Sequence, residues 1–80
     1  MMQDVNPTPA QPYNLSIIIP VYNEEGLLAT AITDLTTRLA EIPLVWEVVI
    51  TENGSRDSTL EIANELAAKI RNVRVLHTPE

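Results

Sequence analysis

Residues 15–25 read LSIIIPVYNEE, and the change of pattern inside this stretch decides the fold. Leu15 to Ile19 is apolar apart from one serine and rich in β-branched side chains, which suits a pleated strand. Apolarity on consecutive rather than alternate positions predicts a strand buried on both faces, as in parallel sheets. Pro20 lacks a backbone donor and ends the run. Asn23 then offers a helix N-cap, and Glu24 and Glu25 fall in a first turn where carboxylates meet the positive end of the dipole. Leu28, Ala31, Ile32, Leu35, Leu39 and Ile42 follow at three- and four-residue steps, with Asp34, Arg38 and Glu41 off the stripe. This is an amphipathic helix, and Pro43 stops it.

The same alternation continues downstream. Residues 45–51 (VWEVVIT) form a second apolar, β-branched run, and residues 52–57 (ENGSRD) are turn chemistry throughout. Ser58, with Glu61 three residues on, has the spacing of a capping box that opens a second helix. Leu60, Ala63, Leu66, Ala67 and Ile70 make its inner face, and residues 73–77 (VRVLH) read as a third strand. A β-α-β-α-β order with short links predicts a parallel sheet with right-handed crossovers, the layout of a mononucleotide-binding half-domain. Upstream, Pro7, Pro9 and Pro12 among Asn, Thr and Gln predict an extended, solvated arm over residues 1–14, leaving 15–80 as the folded unit.

Composition narrows the function classes. A chain of 80 residues with no Cys and one His excludes a disulfide framework, a zinc finger and an iron–sulfur site. A net charge of −6 argues against a nucleic-acid partner, which calls for a basic face. No apolar run approaches the roughly 18 residues of a spanning helix, and the amino terminus lacks the basic and apolar regions of a signal peptide. Cytoplasmic exposure is the expectation.

In open parallel sheets, ligands bind beyond the carboxyl ends of the strands. The loops 20–25 and 52–57 both leave such ends and therefore share a rim. Neither a G-x-G-x-x-G fingerprint nor a P-loop is present. Instead Glu24, Glu25, Glu52 and Asp57 make the rim acidic, which suits a ribose, a base with N–H donors, or a metal. Tyr22 offers a ring for stacking, and both helix starts offer free N–H groups. Each feature also has an ordinary structural reading. Acids at helix starts stabilise the dipole, Gly54 supplies a positive φ, Asp57 and Ser58 serve as caps, and Asn53 tolerates a left-handed turn. His77, with no acidic partner in view along the sequence, reads as structural.

Taken together, LSIIIPVYNEEGLL and VVITENGSRDSTLEIA resemble the amino-terminal segment of family-2 glycosyltransferases. These are A-type inverting enzymes that include dolichyl- and undecaprenyl-phosphate sugar transferases. Their pattern is an apolar strand, P-x-Y-N-E, a helix, a second strand and D-D-G-S-x-D-x-T. The resemblance runs from Leu15 to about Pro79. It implies a three-layer, Rossmann-like α/β fold of which this chain holds an incomplete β-α-β-α-β half, in strand order 3-2-1 with the first strand at an edge. Pro20, Tyr22, Asn23 and Glu24 match the first motif, which lines the nucleotide base and ribose in the family. Gly54, Ser55, Asp57 and Thr59 match the second as they stand. Glu52 and Asn53 occupy the places of two aspartates. Glu52 keeps the charge on a longer arm, and Asn53 carries both a donor and an acceptor for a base edge.

The family's metal-binding D-x-D and its general base have no counterpart in these 80 residues, so the resemblance assigns no catalytic and no metal-binding residue here. It implies a UDP- or GDP-linked sugar as donor, an acceptor hydroxyl or lipid phosphate, and a Mg²⁺ or Mn²⁺ ion in a full-length enzyme at the cytoplasmic face of a membrane. The alternative reading is a non-catalytic half-domain that dimerises through the open edge of its sheet.

Overall fold

The computed structural model describes residues 13–79. Most of the predicted arm, residues 1–12, lies outside them. The elements run β1 (Leu15–Val21), α1 (Leu28–Leu39), β2 (Trp46–Asn53), α2 (Thr59–Lys69) and β3 (Val73–Thr78). Both strand pairs are parallel, and the sheet order is β1-β2-β3, so β2 is central. This is the predicted β-α-β-α-β arrangement, a partial Rossmann-like fold with β1 at an edge.

Strand alternation explains where the core sits. Val21 on β1, Val48 and Ile50 on β2 and Val73 on β3 belong to one buried cluster with Leu28, Ile32 and Leu39 of α1 and Ala63 and Leu66 of α2. Registered neighbours share a face, so both helices cover the same side of the sheet. Right-handed crossovers that step in one direction, from β1 to β2 to β3, require this. Each large aliphatic side chain removed from water here stabilises the fold by about 1.5–3 kcal/mol. Trp46 packs half-buried against the same cluster.

The opposite face differs from the expectation of a strand buried on both sides. Ile18 is 57% exposed and Leu76 on β3 is 51% exposed, with the buried Val49 of β2 between them. The sheet and one helix layer are the two layers that the described residues supply. At the amino-terminal end of this open face Glu47 ties all three strands together. It accepts a hydrogen bond from Ser16 Oγ at 2.7 Å and pairs with Arg74 Nε at 3.2 Å. Nearby, Asn14 is anchored to Val45, donating its N–H at 2.6 Å and accepting the Val45 N–H on Oδ1 at 2.9 Å.

Pro20 does not end β1, which runs on to Val21. A missing N–H is tolerated there because an edge strand has one hydrogen-bonded neighbour rather than two.

Candidate functional site: two braced loops at the carboxyl rim

The segment after β1 opens with Asn23 in the left-handed region, at φ 52°. Asparagine tolerates this better than most residues, and here two bonds hold it. Its N–H donates to Ser55 Oγ at 3.0 Å, and its Oδ1 accepts the Arg56 N–H at 2.8 Å. Asn23 is thus a clasp to the second loop rather than the predicted helix N-cap. The chain makes a turn through residues 24–27 first, with the Leu27 and Leu28 N–H groups both donating to the Glu24 carbonyl, and α1 starts at Leu28. Consequently Glu24 and Glu25 precede the helix, whose first turn contains no acid.

Donors that a local cap would serve are served instead from across the rim. Glu24 N–H donates to Thr59 Oγ1 at 2.7 Å, and Glu25 N–H to Asp57 Oδ2 at 3.3 Å. In return Glu25 Oε1 accepts the Ser58 N–H at 2.9 Å. Thr59 is fully buried, and its hydroxyl donates a hydrogen bond to Asp57 Oδ1, which also accepts the Thr59 N–H at 2.9 Å. The predicted capping box of Ser58 with Glu61 does not form, because Ser58 makes no side-chain cap bond. Asp57, one residue earlier, already occupies the donor at the start of α2.

Below this clasp lies Glu52, on the helix-covered face near the end of β2 and 1% exposed. Its Oε2 accepts the Ser55 N–H at 2.5 Å, and its Oε1 meets Nδ1 of His77 at 2.5 Å. Burial by itself pushes this carboxyl up, but the Ser55 hydroxyl and N–H together with His77 outweigh it and hold it below the ordinary glutamate range. For Asp57 the Thr59 hydroxyl is the leading influence. With the N–H donors it outweighs desolvation and lowers that carboxyl too.

The consequence for the rim is electrostatic. Beyond the clasp is an open cleft of about 570 Å³ lined by Tyr22, Asn53, Gly54, Arg56 and Pro79. Tyr22 is 54% exposed, and Gly54 turns the chain at φ 66° with its N–H bonded to the Thr78 carbonyl at 3.0 Å. Among the described residues no carboxylate lines this cleft. Glu25, Glu52 and Asp57 are turned to protein donors, and the charged residue among the described ones that line the cleft is Arg56.

The nine residues singled out from the sequence therefore separate into three sets. Tyr22, Asn53 and Gly54 line the cleft. Asn23, Glu52, Ser55 and Asp57 form the brace beneath it. Pro20 and Glu24 line a second hollow of about 270 Å³ between β1 and α1, together with Ile19, Leu27, Leu28 and Ala31. Sequence reasoning passed over Arg56, and it found no acidic partner for His77, which the structure pairs with Glu52. Arg56 stands at the variable place between two recognisable motif residues, so motif matching skips it. The partner of His77 was legible only through register, since Glu52 and His77 are paired positions of β2 and β3.

Among the described residues no three His, Asp or Glu side chains converge as a metal-ligating cluster. Both oxygens of Glu52 and of Asp57 are already engaged by protein groups, and Glu25 Oε1 accepts the Ser58 N–H. Glu52 and Asp57 therefore do not fit as ligands of a divalent cation.

Comparison with known proteins gives the family of the chain that carries these two loops. The sequence profile described as Glycosyl transferase family 2 matches residues 16–80. The chain belongs to that family. Among curated relatives of this family-2 chain, an undecaprenyl-phosphate 4-deoxy-4-formamido-L-arabinose transferase of Pectobacterium carotovorum is 36% identical over 55 residues, covering 69% of the chain and 17% of the relative. A dolichyl-phosphate beta-glucosyltransferase of Trichomonas vaginalis is 31% identical over 78 residues, covering 91% of the chain and 23% of the relative. A dodecaprenyl-phosphate galacturonate synthase of Rhizobium johnstonii is 28% identical over 61 residues, covering 76% and 18%. The family-2 chain thus spans about a fifth of the length of the relatives it matches. No helix among the described residues is long and apolar enough to cross a membrane.

Proposed function

We propose that this family-2 chain provides the nucleotide-binding part of a glycosyltransferase that moves a sugar from a nucleoside-diphosphate donor to an acceptor hydroxyl or lipid phosphate. The observation that carries this reading is the cleft itself. Two loops, locked to each other by hydrogen bonds through Asn23, Glu25, Asp57 and Thr59, present an aromatic ring, a carboxamide and a guanidinium at the carboxyl end of a parallel sheet. A nucleotide offers a π-face, a polar edge and an anion, which are the complements of those groups. The lipid-phosphate acceptors in the relatives' names support the acceptor class.

In the reaction proposed, the acceptor oxygen forms its bond to the anomeric carbon as the bond from that carbon to the diphosphate breaks. The electron pair leaves with the nucleotide, and attack opposite the leaving group inverts the centre. The residues of this chain bind and orient the leaving nucleotide. None of them is assigned the proton transfer. A Mg²⁺ or Mn²⁺ ion in the whole enzyme would supply charge stabilisation for the leaving diphosphate, and no residue of this chain is assigned to hold it.

Titration of the chain with UDP, GDP and their sugars, with and without Mn²⁺, tests this reading by amide shift perturbation. Saturable shifts at Tyr22, Asn53, Gly54 and Arg56 are expected. Unmoved rim amides at millimolar concentrations of every nucleotide would sink the proposal.

The exposed Ile18 and Leu76 favour a second reading, in which the open sheet face and the β1 edge pair with another copy of the chain. Light scattering across the micromolar range separates the two. A concentration-independent monomer removes the dimer.

A further inference from the structure

Arg56 is unlike the other charged groups of the two loops. Its backbone is pinned: its N–H is held by Asn23 Oδ1 at 2.8 Å, and the preceding Ser55 N–H by Glu52. Its side chain is exposed and lines the cleft. The ion pairs among the described residues join Arg74 to Glu47 and His77 to Glu52, and neither involves Arg56. The neighbouring acids are directed away from it. Glu52 is buried against Ser55 and His77, and Asp57 bonds Thr59 and the Glu25 N–H. In a chain of net charge −6, a guanidinium with no ion pair among the described residues, on a fixed root and lining an open cleft beside an exposed tyrosine, is a local reversal of sign.

We propose that Arg56 makes this cleft an anion subsite, its guanidinium taking the phosphate of a nucleotide whose base lies against Tyr22. The inference rests on the nucleotide reading above and deepens it, because it names which part of the ligand this rim holds by charge. A planar guanidinium presents a fork of donors that matches two phosphate oxygens at once. The loop carboxylates leave these oxygens unopposed. The subsite therefore binds phosphate directly, and its contribution is measurable in EDTA, apart from any metal bridge.

The test compares nucleoside with nucleotide. The chain is titrated in EDTA with uridine, UDP, guanosine, GDP and inorganic pyrophosphate, following the amides of Tyr22, Asn53, Gly54 and Arg56, and the series is repeated with Arg56→Gln and Arg56→Lys. For the better-bound base, the diphosphate is expected to bind about tenfold or more tighter than the nucleoside, as charge-assisted bidentate contacts require. In Arg56→Gln this ratio falls by about tenfold while nucleoside affinity stays the same, and Arg56→Lys retains an intermediate ratio. A diphosphate no tighter than its nucleoside, or a ratio that Arg56→Gln leaves unchanged, overturns the subsite while sparing the nucleotide reading. If no nucleoside or nucleotide moves the rim amides, both fail together. Arg56 is exposed and its structural bond is made by its backbone, so matching thermal melts confirm that the variants fold.

Discussion

Nδ1 of His77 lies 2.5 Å from Oε1 of Glu52, and the other oxygen of the same carboxylate accepts the Ser55 N–H at 2.5 Å. One buried carboxylate thereby joins the ends of β2 and β3 to the loop that frames the cleft. Glu52→Gln preserves the shape but turns an acceptor-only group into one with an NH₂, which must face either the Ser55 N–H or the imidazole. Facing Ser55, the NH₂ sets a buried donor against a donor; facing His77, it requires the tautomer whose Nδ1 accepts and gives up the bond to a carboxylate, so a loss of about 1–3 kcal/mol is expected in urea unfolding. A variant as stable as the parent would show that the carboxylate does not organise the loop.

The same carboxylate sets an acid limit. Its folded-state value is depressed, so its stabilising contribution is fully present above the unfolded value of about 4.3 and is lost as pH falls through the folded value. Asp57, also depressed, acts in the same direction from about 3.9 downward. The urea midpoint is expected to hold steady from neutral pH to about 5 and to fall steadily below 4. Glu52→Gln flattens that fall because its side chain no longer titrates. An equally steep acid limb in the variant would place the linkage elsewhere.

How much of this was legible in the sequence follows from what each residue depends on. The strands and helices follow from local periodicity, and the stripe of Leu28, Ile32 and Leu39 packs as its spacing requires. Three features depended on contacts between distant segments and were misread. Asn23 and Ser58 have cap chemistry, but Ser55 and Arg56 across the rim bond Asn23, and at the start of α2 Asp57 rather than Ser58 takes a backbone donor. Ile18 lies in an apolar run, yet its burial depends on which side the crossovers place the helices. The acidic rim has the right residues, but the directions of their side chains, turned to backbone donors, are a property of two loops together.

Asn23 carries two separable demands. Asn23→Gly keeps the φ of 52° without strain but loses the bond from Arg56 N–H, whereas Asn23→Ala loses the bond and adds left-handed strain. The glycine variant is expected to cost about 1 kcal/mol and the alanine variant about 1–2 kcal/mol more. Chemical denaturation gives both numbers. Faster hydrogen exchange at the Arg56 amide in each variant is the local signature, and equal costs would mean that the backbone angle carries no strain.

Thr59 sits where both loops meet, accepting from Glu24 N–H and donating to Asp57. Thr59→Val is nearly isosteric and leaves the Glu24 N–H without its acceptor, so a cost of about 1–3 kcal/mol is expected. Thr59→Ser restores the hydroxyl and loses only a buried methyl, about 1 kcal/mol. If the valine variant proves the more stable of the two, packing rather than hydrogen bonding holds the brace.

Asn53 is the cleft residue whose chemistry bears on base choice. Its exposed carboxamide lines the cleft and offers an NH₂ donor group and a carbonyl acceptor to a ligand edge. Uracil presents a complementary acceptor and donor side by side, while guanine presents N1–H and its exocyclic amine as two adjacent donors. Asn53→Asp replaces the carboxamide with two acceptors and places a negative charge on the cleft wall that also carries Arg56. Two shifts are expected in the same titration. The affinity ratio of guanosine to uridine rises by about three- to tenfold, because a carboxylate rewards paired donors. The ratio of UDP to uridine falls, because the added charge neutralises the guanidinium that attracts the phosphate. A change in the second ratio without the first would assign Asn53 to the ribose or phosphate side of the cleft instead of the base.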